Sequence, residues 1–184
     1  MGNLSLYTTR AVILMDSEGN RLVAKYFTRG QTVQNYKTLK EQQKFENGLF
    51  TKTRKSNSEV VMYDGQTVLF KYINDVYFYL IGNPEENELL LGAILNGLTE
   101  AISQLLSFNI DKRSILDNLD MVVLALDEAL DDGIALETDP NAIAANVSKR
   151  GVDTIDVSLS NLNEQTVMDA YKLAKERLNL ALLR

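Results

Sequence analysis

Five short apolar runs, rich in β-branched and aromatic residues, are typical of β-strands, and in one of them, at 21–27, apolar and polar residues alternate. The first run, LYTTRAVILM at 6–15, is rich in β-branched residues and ends at the turn cluster DSEGN at 16–20. The second run, RLVAKYF, follows at 21–27, so the two runs predict a β-hairpin. Three further runs at 59–64, 66–72 and 75–81 are separated only by short turn residues. Their spacing predicts an antiparallel three-stranded meander.

Between these strands and after them, the apolar period changes to that of a helix. A segment at about 33–54 places Phe45 and Leu49 one helical turn apart. A long helix is predicted from Asn83 to about Ser107, with Asn83 as its cap and Pro84 in its first turn. A third helix is predicted at 111–132, and a short one at 141–150 follows an extended stretch.

The order β-β-α-β-β-β-α-α predicts an α+β domain, in which helices pack on an antiparallel sheet. We place this domain at 1–150. Residues 151–163 are polar and are predicted to form a flexible, irregular linker. Residues 164–184 are predicted to form an amphipathic C-terminal helix. We expect that helix to dock on a protein surface through Val167, Met168, Tyr171 and Leu178.

The helix at 83–107 carries more apolar surface than a single packing face needs. In LLLGAILNGL at 89–98 the apolar residues cover more than one side, so a second surface must cover them. The cover is either the third helix, whose MVVLAL at 121–126 is equally apolar, or a partner protein, and internal packing is favoured. If a partner contributes, the candidate contacts are Leu90, Leu91, Ile94, Leu95, Leu98, Phe45, Leu49 and Phe50.

Composition excludes several classes of function. The chain of 184 residues has no cysteine and no histidine, which removes thiol nucleophiles, imidazole bases and the usual zinc ligands. No phosphate-binding glycine loop occurs, and Asp127, Glu128, Asp131 and Asp132 do not fit a calcium loop. A net charge of −6 disfavours nucleic acid, and no run of about 18 apolar residues predicts a membrane span. We therefore expect a cytosolic protein that is not an enzyme and holds no cofactor or metal.

Several long segments resemble the zeta-subunit family of coatomer. They are LSLYTTRAVILMDSEGNRLVAKYF at 4–27, KEQQKFENGLFTKTRKSNSEV at 40–60, VYFYLIGNPEENELLLGAILNGLTEAISQLL at 76–106 and NLDMVVLALDEALDDGIALETDP at 118–140. The terminal EQTVMDAYKLAKERLNLALLR is also similar. Less closely, KYINDVYFYLI and LALDEALDDG are similar to the sigma subunits of clathrin adaptors, whose chains end near the position of Thr138.

This resemblance implies a longin-like fold, in which a five-stranded antiparallel sheet carries one helix on one face and two on the other. It implies a structural subunit clasped by the helical solenoid of the coatomer gamma subunit, beside other coatomer subunits. An Arf-type GTPase would recruit that coat to Golgi membranes for retrograde transport to the endoplasmic reticulum, so membrane association would be peripheral. Sigma subunits also hold dileucine sorting signals in an apolar pocket, where this chain places Thr99, Phe108 and Asn109.

We interpret the chain as a non-catalytic subunit of the coatomer coat. Two alternatives remain: a sigma-like small subunit of a clathrin adaptor, and a longin-domain regulator of a small GTPase.

Overall fold

A computed structural model describes residues 6–28, 36–56 and 58–159 of the chain. Its centre is a five-stranded antiparallel sheet in the order β2-β1-β5-β4-β3. The strands are β1 (Thr9–Asp16), β2 (Arg21–Tyr26), β3 (Val60–Tyr63), β4 (Gln66–Ile73) and β5 (Val76–Gly82). The predicted hairpin and the predicted meander are both confirmed. The first hairpin joins the meander because β1 pairs with β5 along its whole length.

The remaining elements are helices and one very short hairpin. The helices are α1 (Leu39–Thr53), α2 (Glu88–Leu105), α3 (Lys112–Asp117), α4 (Leu119–Ala129) and α5 (Pro140–Leu159), and the hairpin is β6 (Leu130–Asp131) with β7 (Ile134–Ala135). The chain divides into two compact units, 1–147 and 148–184. The first unit holds the sheet and helices α1 to α4. Of the second unit, the structure describes the backbone of 148–159, which is helical.

Alternate residues of each strand supply two separate cores, one on each face of the sheet. In β1, Ala11, Ile13 and Met15 face α1, whereas Val12 and Leu14 face the side of α2 and α4. Because both faces of β1 are covered by helices, its sequence is a continuous apolar run. The predicted arrangement of one helix on one face and two on the other, and hence the longin-like fold, is confirmed.

Helix α2 begins one turn later than its sequence predicts. Asn87, and not Asn83, caps it, because the Asn87 side chain accepts a hydrogen bond from the Leu89 amide at 2.9 Å. The Asn83 side chain instead accepts a hydrogen bond from Arg10 and donates one to the carbonyl of Tyr7. Asn83 therefore ties the end of β5 to the start of β1, and the prediction that it caps a helix is wrong.

The predicted helix at 111–132 is two helices with a break at Asn118. The backbone of Asn118 adopts φ −125° and ψ 38°, and its side-chain amide donates to the carbonyl of Ser114 at 2.9 Å. That hydrogen bond satisfies a carbonyl in the last turn of α3, so the chain can bend without proline or glycine.

The predicted irregular linker at 151–163 is helical as far as Leu159, so that prediction is wrong for 151–159. No proline interrupts this stretch, and one glycine costs only about 1 kcal/mol of helix stability. Residues 160–163 lie outside the described residues, and so does the predicted C-terminal helix.

Strand β3 forms one edge of the sheet, and its outward-facing backbone groups are largely occupied. In the alternating ladder of an antiparallel pair, Val60 and Met62 direct their amides and carbonyls away from β4. The Ser58 hydroxyl accepts from the Val60 amide at 3.3 Å and donates to the Val60 carbonyl at 2.9 Å. Lys52 donates to the Met62 carbonyl. Three of these four edge groups are therefore satisfied within the chain.

Candidate interaction surface

Seven of the eight residues predicted to contact a partner are buried in the chain's own core, at 9% exposure or less, and only Leu90 is exposed at 38%. The buried ones are Leu91, Ile94, Leu95, Leu98, Phe45, Leu49 and Phe50. Phe45, Leu49 and Phe50 belong to the core under α1, and the other four belong to the core under α2. Assigning these seven to a partner surface is therefore wrong, because they have almost no accessible area to offer.

The surplus apolar surface of α2 is covered from within. Val122, Ala125 and Leu126 of α4 are buried in the same cluster as α2 and the sheet. Helix α2 also approaches the segment after β7 closely, since a Cβ added at Gly97 would lie 2.1 Å from the Thr138 carbonyl oxygen. The predicted internal cover by the third helix is confirmed.

Exposed apolar side chains gather instead where α2 begins, beside the edge strand. A Cβ at Gly92 would lie 3.7 Å from Leu69, so the start of α2 passes over β4. Leu69 pairs with Val60 of β3. We define the edge patch as Val60, Met62 and Leu89, which are 42%, 54% and 83% exposed. Leu90, two residues before Gly92, points away from β4, because residues two apart in a helix do not share a face. Sequence analysis identified none of the three patch residues, because they do not stand out from apolar residues of the core.

A second apolar surface lies on α3 and α4. Leu116, Leu119 and Val123 follow one another at steps of three and four residues, and each is at least 38% exposed. We call them the outer stripe. The spacing places Leu119 and Val123 along one side of α4, and Leu116 precedes them across the break at Asn118. Partner helices commonly bind to stripes of this kind.

The acidic residues in the last turn of α4 take part in an ion pair and a hydrogen bond. Asp127 forms a salt bridge with Lys25 of β2, and Glu128 accepts a hydrogen bond from Asn146 at 2.7 Å. Among residues 6–28, 36–56 and 58–159, no group of three or more acidic side chains is arranged to hold a metal ion. Asp127 and Glu128 thus link α4 to β2 and α5.

A charged network attaches α1 to β2. The Glu46 carboxylate is buried, with its side chain 4% exposed, and it accepts hydrogen bonds from Arg21 Nε at 2.9 Å and Nη2 at 2.6 Å. The Tyr26 hydroxyl donates to the same carboxylate at 2.7 Å. Burial and this hydrogen bond raise the pKa of Tyr26. The fork of Arg21 matches both carboxylate oxygens, an arrangement that fixes helix and strand in register.

Asp16 holds the first hairpin against α3. Its side chain is 2% exposed and accepts from the amides of Glu18 and Asn20, from the Asn20 side chain and from Lys112 Nζ at 2.8 Å. Burial alone would raise the pKa of Asp16, but the hydrogen bonds, led by that of Lys112, outweigh it and lower the pKa to about 2. The carboxylate is therefore charged at neutral pH and rigidly placed.

The position expected for a sorting-signal pocket is not an open apolar site. Thr99 is buried, and its hydroxyl donates to the Leu95 carbonyl at 2.9 Å within α2. Phe108 is 79% exposed. The Asn109 side chain donates to Asp111 and Ser114. Thr99 thus has no surface to offer a leucine side chain, and Asn109 is used in capping α3.

The residues predicted to dock the C-terminal helix, Val167, Met168, Tyr171 and Leu178, lie outside the described residues, and their role stays a prediction. In the part of the chain that the structure describes, no helix is both long enough and apolar enough to cross a bilayer.

Comparison with known proteins gives the family of the chain. Residues 8–169 match the model of the clathrin adaptor complex small chain family. Coatomer subunit zeta-1 of Homo sapiens is 42% identical over 180 residues, which cover 98% of this chain and 96% of the human protein. The chain belongs to the adaptor small-chain family, together with the coatomer zeta subunits. The resemblance found in the sequence is therefore confirmed.

One other relative supports the same family, and a structural neighbour shares the fold. Coatomer subunit zeta-1 of Oryza sativa subsp. japonica is 40% identical, over 96% of this chain and 97% of its own. A homology model of the full-length AP-3 complex contains a chain with TM-score 0.57 and 16% identity, which covers 83% of this chain and 98% of that one. At that identity the likeness shows the adaptor small-chain fold alone.

Proposed function

We propose that the chain is a non-catalytic structural subunit of the coatomer vesicle coat. The observation that carries this proposal is identity of about 40% to coatomer zeta subunits of a mammal and a plant, along nearly the whole chain. Identity spread over the sheet and the helices indicates that the whole domain is retained, and not merely a short motif.

The partner proposed for the domain is the helical solenoid of the coatomer gamma subunit. A folded domain with two well-filled cores docks as a rigid body, so its contacts come from side chains that are already exposed. The edge patch supplies such side chains: Leu89 on the first turn of α2, and Val60 and Met62 on the neighbouring edge strand. Apolar clusters that project from a rigid surface are typical centres of protein interfaces.

Co-purification tests the choice of partner. The chain should be co-expressed with a tagged trunk fragment of the gamma subunit or, separately, with the matching large chain of a clathrin adaptor. We expect a stoichiometric complex with the gamma fragment and none with the adaptor chain. A complex with the adaptor chain alone would instead favour the sigma-like reading. Complexes with neither, but with a small GTPase, would favour a longin-domain regulator.

A substitution tests the proposed surface. Leu89→Asp places a charge in the edge patch, and we expect it to weaken binding of the gamma fragment at least about tenfold, since each 1.4 kcal/mol is a factor of ten. Leu136→Asp is the matched control, because Leu136 is 60% exposed but lies after β7. Both variants should keep the wild-type melting temperature. Equal affinities for the two variants would contradict docking through the edge patch.

Transport follows from this membership in the coat. We propose that the chain is cytoplasmic and reaches Golgi membranes only with its coat, after activation of an Arf-type GTPase, to support Golgi-to-ER retrograde and intra-Golgi transport. A fluorescently tagged chain should lie on Golgi membranes in cells and disperse within minutes when Arf activation is blocked. Tagged protein that stays on the membranes would contradict recruitment through the coat.

A further inference from the structure

A cavity of about 170 Å³ lies on the α1 side of the sheet, at the end where α1 begins. Ala11 and Ile81, which are opposite each other in β1 and β5, line it from the sheet. Tyr36 and Phe45 line it from the other side, with ring centroids 4.4 Å apart. An engineered apolar cavity of about 150 Å³ binds a benzene molecule, so this one has room for a single aliphatic side chain.

One buried polar group in this cavity lacks a partner. Gln66 is 1% exposed and lines the cavity, and its amide oxygen Oε1 makes no hydrogen bond, although its Nε2 donates to the Tyr36 hydroxyl at 3.0 Å. The Tyr36 hydroxyl donates in turn to Asp64 at 2.6 Å. Because a carboxylate can only accept, the Tyr36 proton goes to Asp64 and the Gln66 amide cannot turn around. The oxygen of Gln66 is therefore an acceptor that needs an N–H or O–H group.

The charged side chains at the cavity are both cationic. Arg10 and Lys37 line it, and none of the described residues that line it is acidic. Of the nearby carboxylates, Glu46 is paired with Arg21, and Asp64 accepts a hydrogen bond from Tyr36 without lining the cavity. Arg10, whose Nε donates to Asn83, and Lys37 are thus the groups at the cavity that can bind an anion.

We propose that this cavity binds the carboxyl-terminal residue of a partner protein, where that residue has an aliphatic side chain. The backbone N–H of the residue donates to Gln66 Oε1. Its side chain fills the space between the sheet and Phe45. Its terminal carboxylate binds Arg10 and Lys37. A backbone N–H, an aliphatic side chain and a carboxylate occur together in the last residue of a peptide chain, and capture of such ends is a common mode of peptide recognition.

The site differs from the position at which sorting signals would be expected. Thr99 lies on α2, which covers the opposite face of the sheet from α1. Peptide ends in the α1 cavity would therefore leave that face, and the edge patch beside it, unobstructed.

Binding can be tested with the tripeptide acetyl-Gly-Gly-Leu and the full-length ¹⁵N-labelled chain, followed by NMR. We expect shifts of the backbone amides of Ala11 and Ile81 and of the Gln66 side-chain amide, with a dissociation constant on the order of 1 mM for so small a probe. Three altered probes remove one feature each: the C-terminal amide, acetyl-Gly-Gly-Gly, and the N-methylated leucine. Each should bind at least about tenfold more weakly.

Variants of the chain identify the groups involved. Gln66→Leu should lose the discrimination against the N-methylated probe, and Arg10→Gln should lose the discrimination against the C-terminal amide. Arg113→Gln is the matched control, since that side chain is 91% exposed on α3. If Gln66→Leu does not fold, the altered probes on the wild-type chain still decide the question. Equal binding of acid and amide, shifts elsewhere, or no shifts at about 10 mM probe would overturn the proposal.

Discussion

Replacing Glu46 should destabilise the fold more than any ordinary loss of a surface charge. In Glu46→Ala the Arg21 guanidinium loses both of its carboxylate contacts and the Tyr26 hydroxyl loses its acceptor. Breaking a buried ion pair from one side costs about 3–5 kcal/mol. The Arg21 side chain is 26% exposed and can turn partly to water, which favours the lower end of that range. We therefore expect a loss of about 3 kcal/mol in the free energy of unfolding.

Urea unfolding followed by circular dichroism measures this loss, together with intrinsic tyrosine fluorescence, since the chain has eight tyrosines and no tryptophan. The midpoint should fall while the slope with urea stays unchanged. For a protein of this size, 3 kcal/mol corresponds to a melting temperature lower by about 6–12 °C. Glu100→Ala, at an exposed position within α2, is the control and should change stability by less than about 0.5 kcal/mol.

A double variant separates the cost of leaving one buried charge unpaired from the net contribution of the ion pair to stability. Arg21→Met with Glu46→Leu removes both charges and leaves apolar side chains of similar length, so it should be more stable than Glu46→Ala. The reasoning is refuted if Glu46→Ala and Glu100→Ala have the same unfolding free energy. It is also refuted if the double variant is the least stable of the three.

Three further perturbations have expected outcomes. The pKa of Asp16 is about 2 in the folded chain against 3.8 ordinarily, so its contribution of about 2 kcal/mol to stability is complete above pH 4 and is lost as the pH falls to about 2. Asp16→Asn should therefore reduce the dependence of the urea midpoint on pH over that window. A pH dependence equal to that of the wild type would contradict this. Gly97→Ala should lower the melting temperature by at least about 4 °C, because the new Cβ would lie 2.1 Å from the Thr138 carbonyl oxygen. A melting temperature equal to that of the wild type would show that the backbone at Thr138 can move away. Tyr79→Phe removes the 2.8 Å hydrogen bond to buried Thr53 and should cost about 1 kcal/mol by thermal melt, whereas a more stable variant would contradict that contribution.

The strands could be predicted from sequence because their signals are local. In β4 and β5, runs of β-branched and aromatic residues and the turn at Asn74 lie within a few residues, and the structure places both strands as expected. The cap of α2 could not be predicted in the same way. Asn83 and Asn87 both precede acidic residues, and the choice between them depends on Arg10, 73 residues away from Asn83.

The candidate site was harder to predict, because burial depends on the whole fold. Leu90 and Leu91 are neighbours of the same residue type, yet one is 38% exposed and the other 0%. Only the positions of the sheet and of α4 distinguish them. The burial of Gln66 could not be predicted from the sequence, since a glutamine at the start of a strand normally faces solvent. Its burial depends on Tyr36, which lies 30 residues earlier and supplies its hydrogen-bond partner.

The occupied edge of β3 bears on how the free subunit survives before assembly. A freshly made chain meets many copies of itself before it meets a larger partner, and open sheet edges then recruit one another into irreversible stacks. Here Ser58 and Lys52 already hold the groups at Val60 and Met62 that would seed such stacking. The apolar side chains of β3 remain exposed, so a partner can still contact this surface. Its bonded backbone groups do not readily pair with the edge strand of a second copy. Pairing of two copies through the β3 edge is therefore disfavoured.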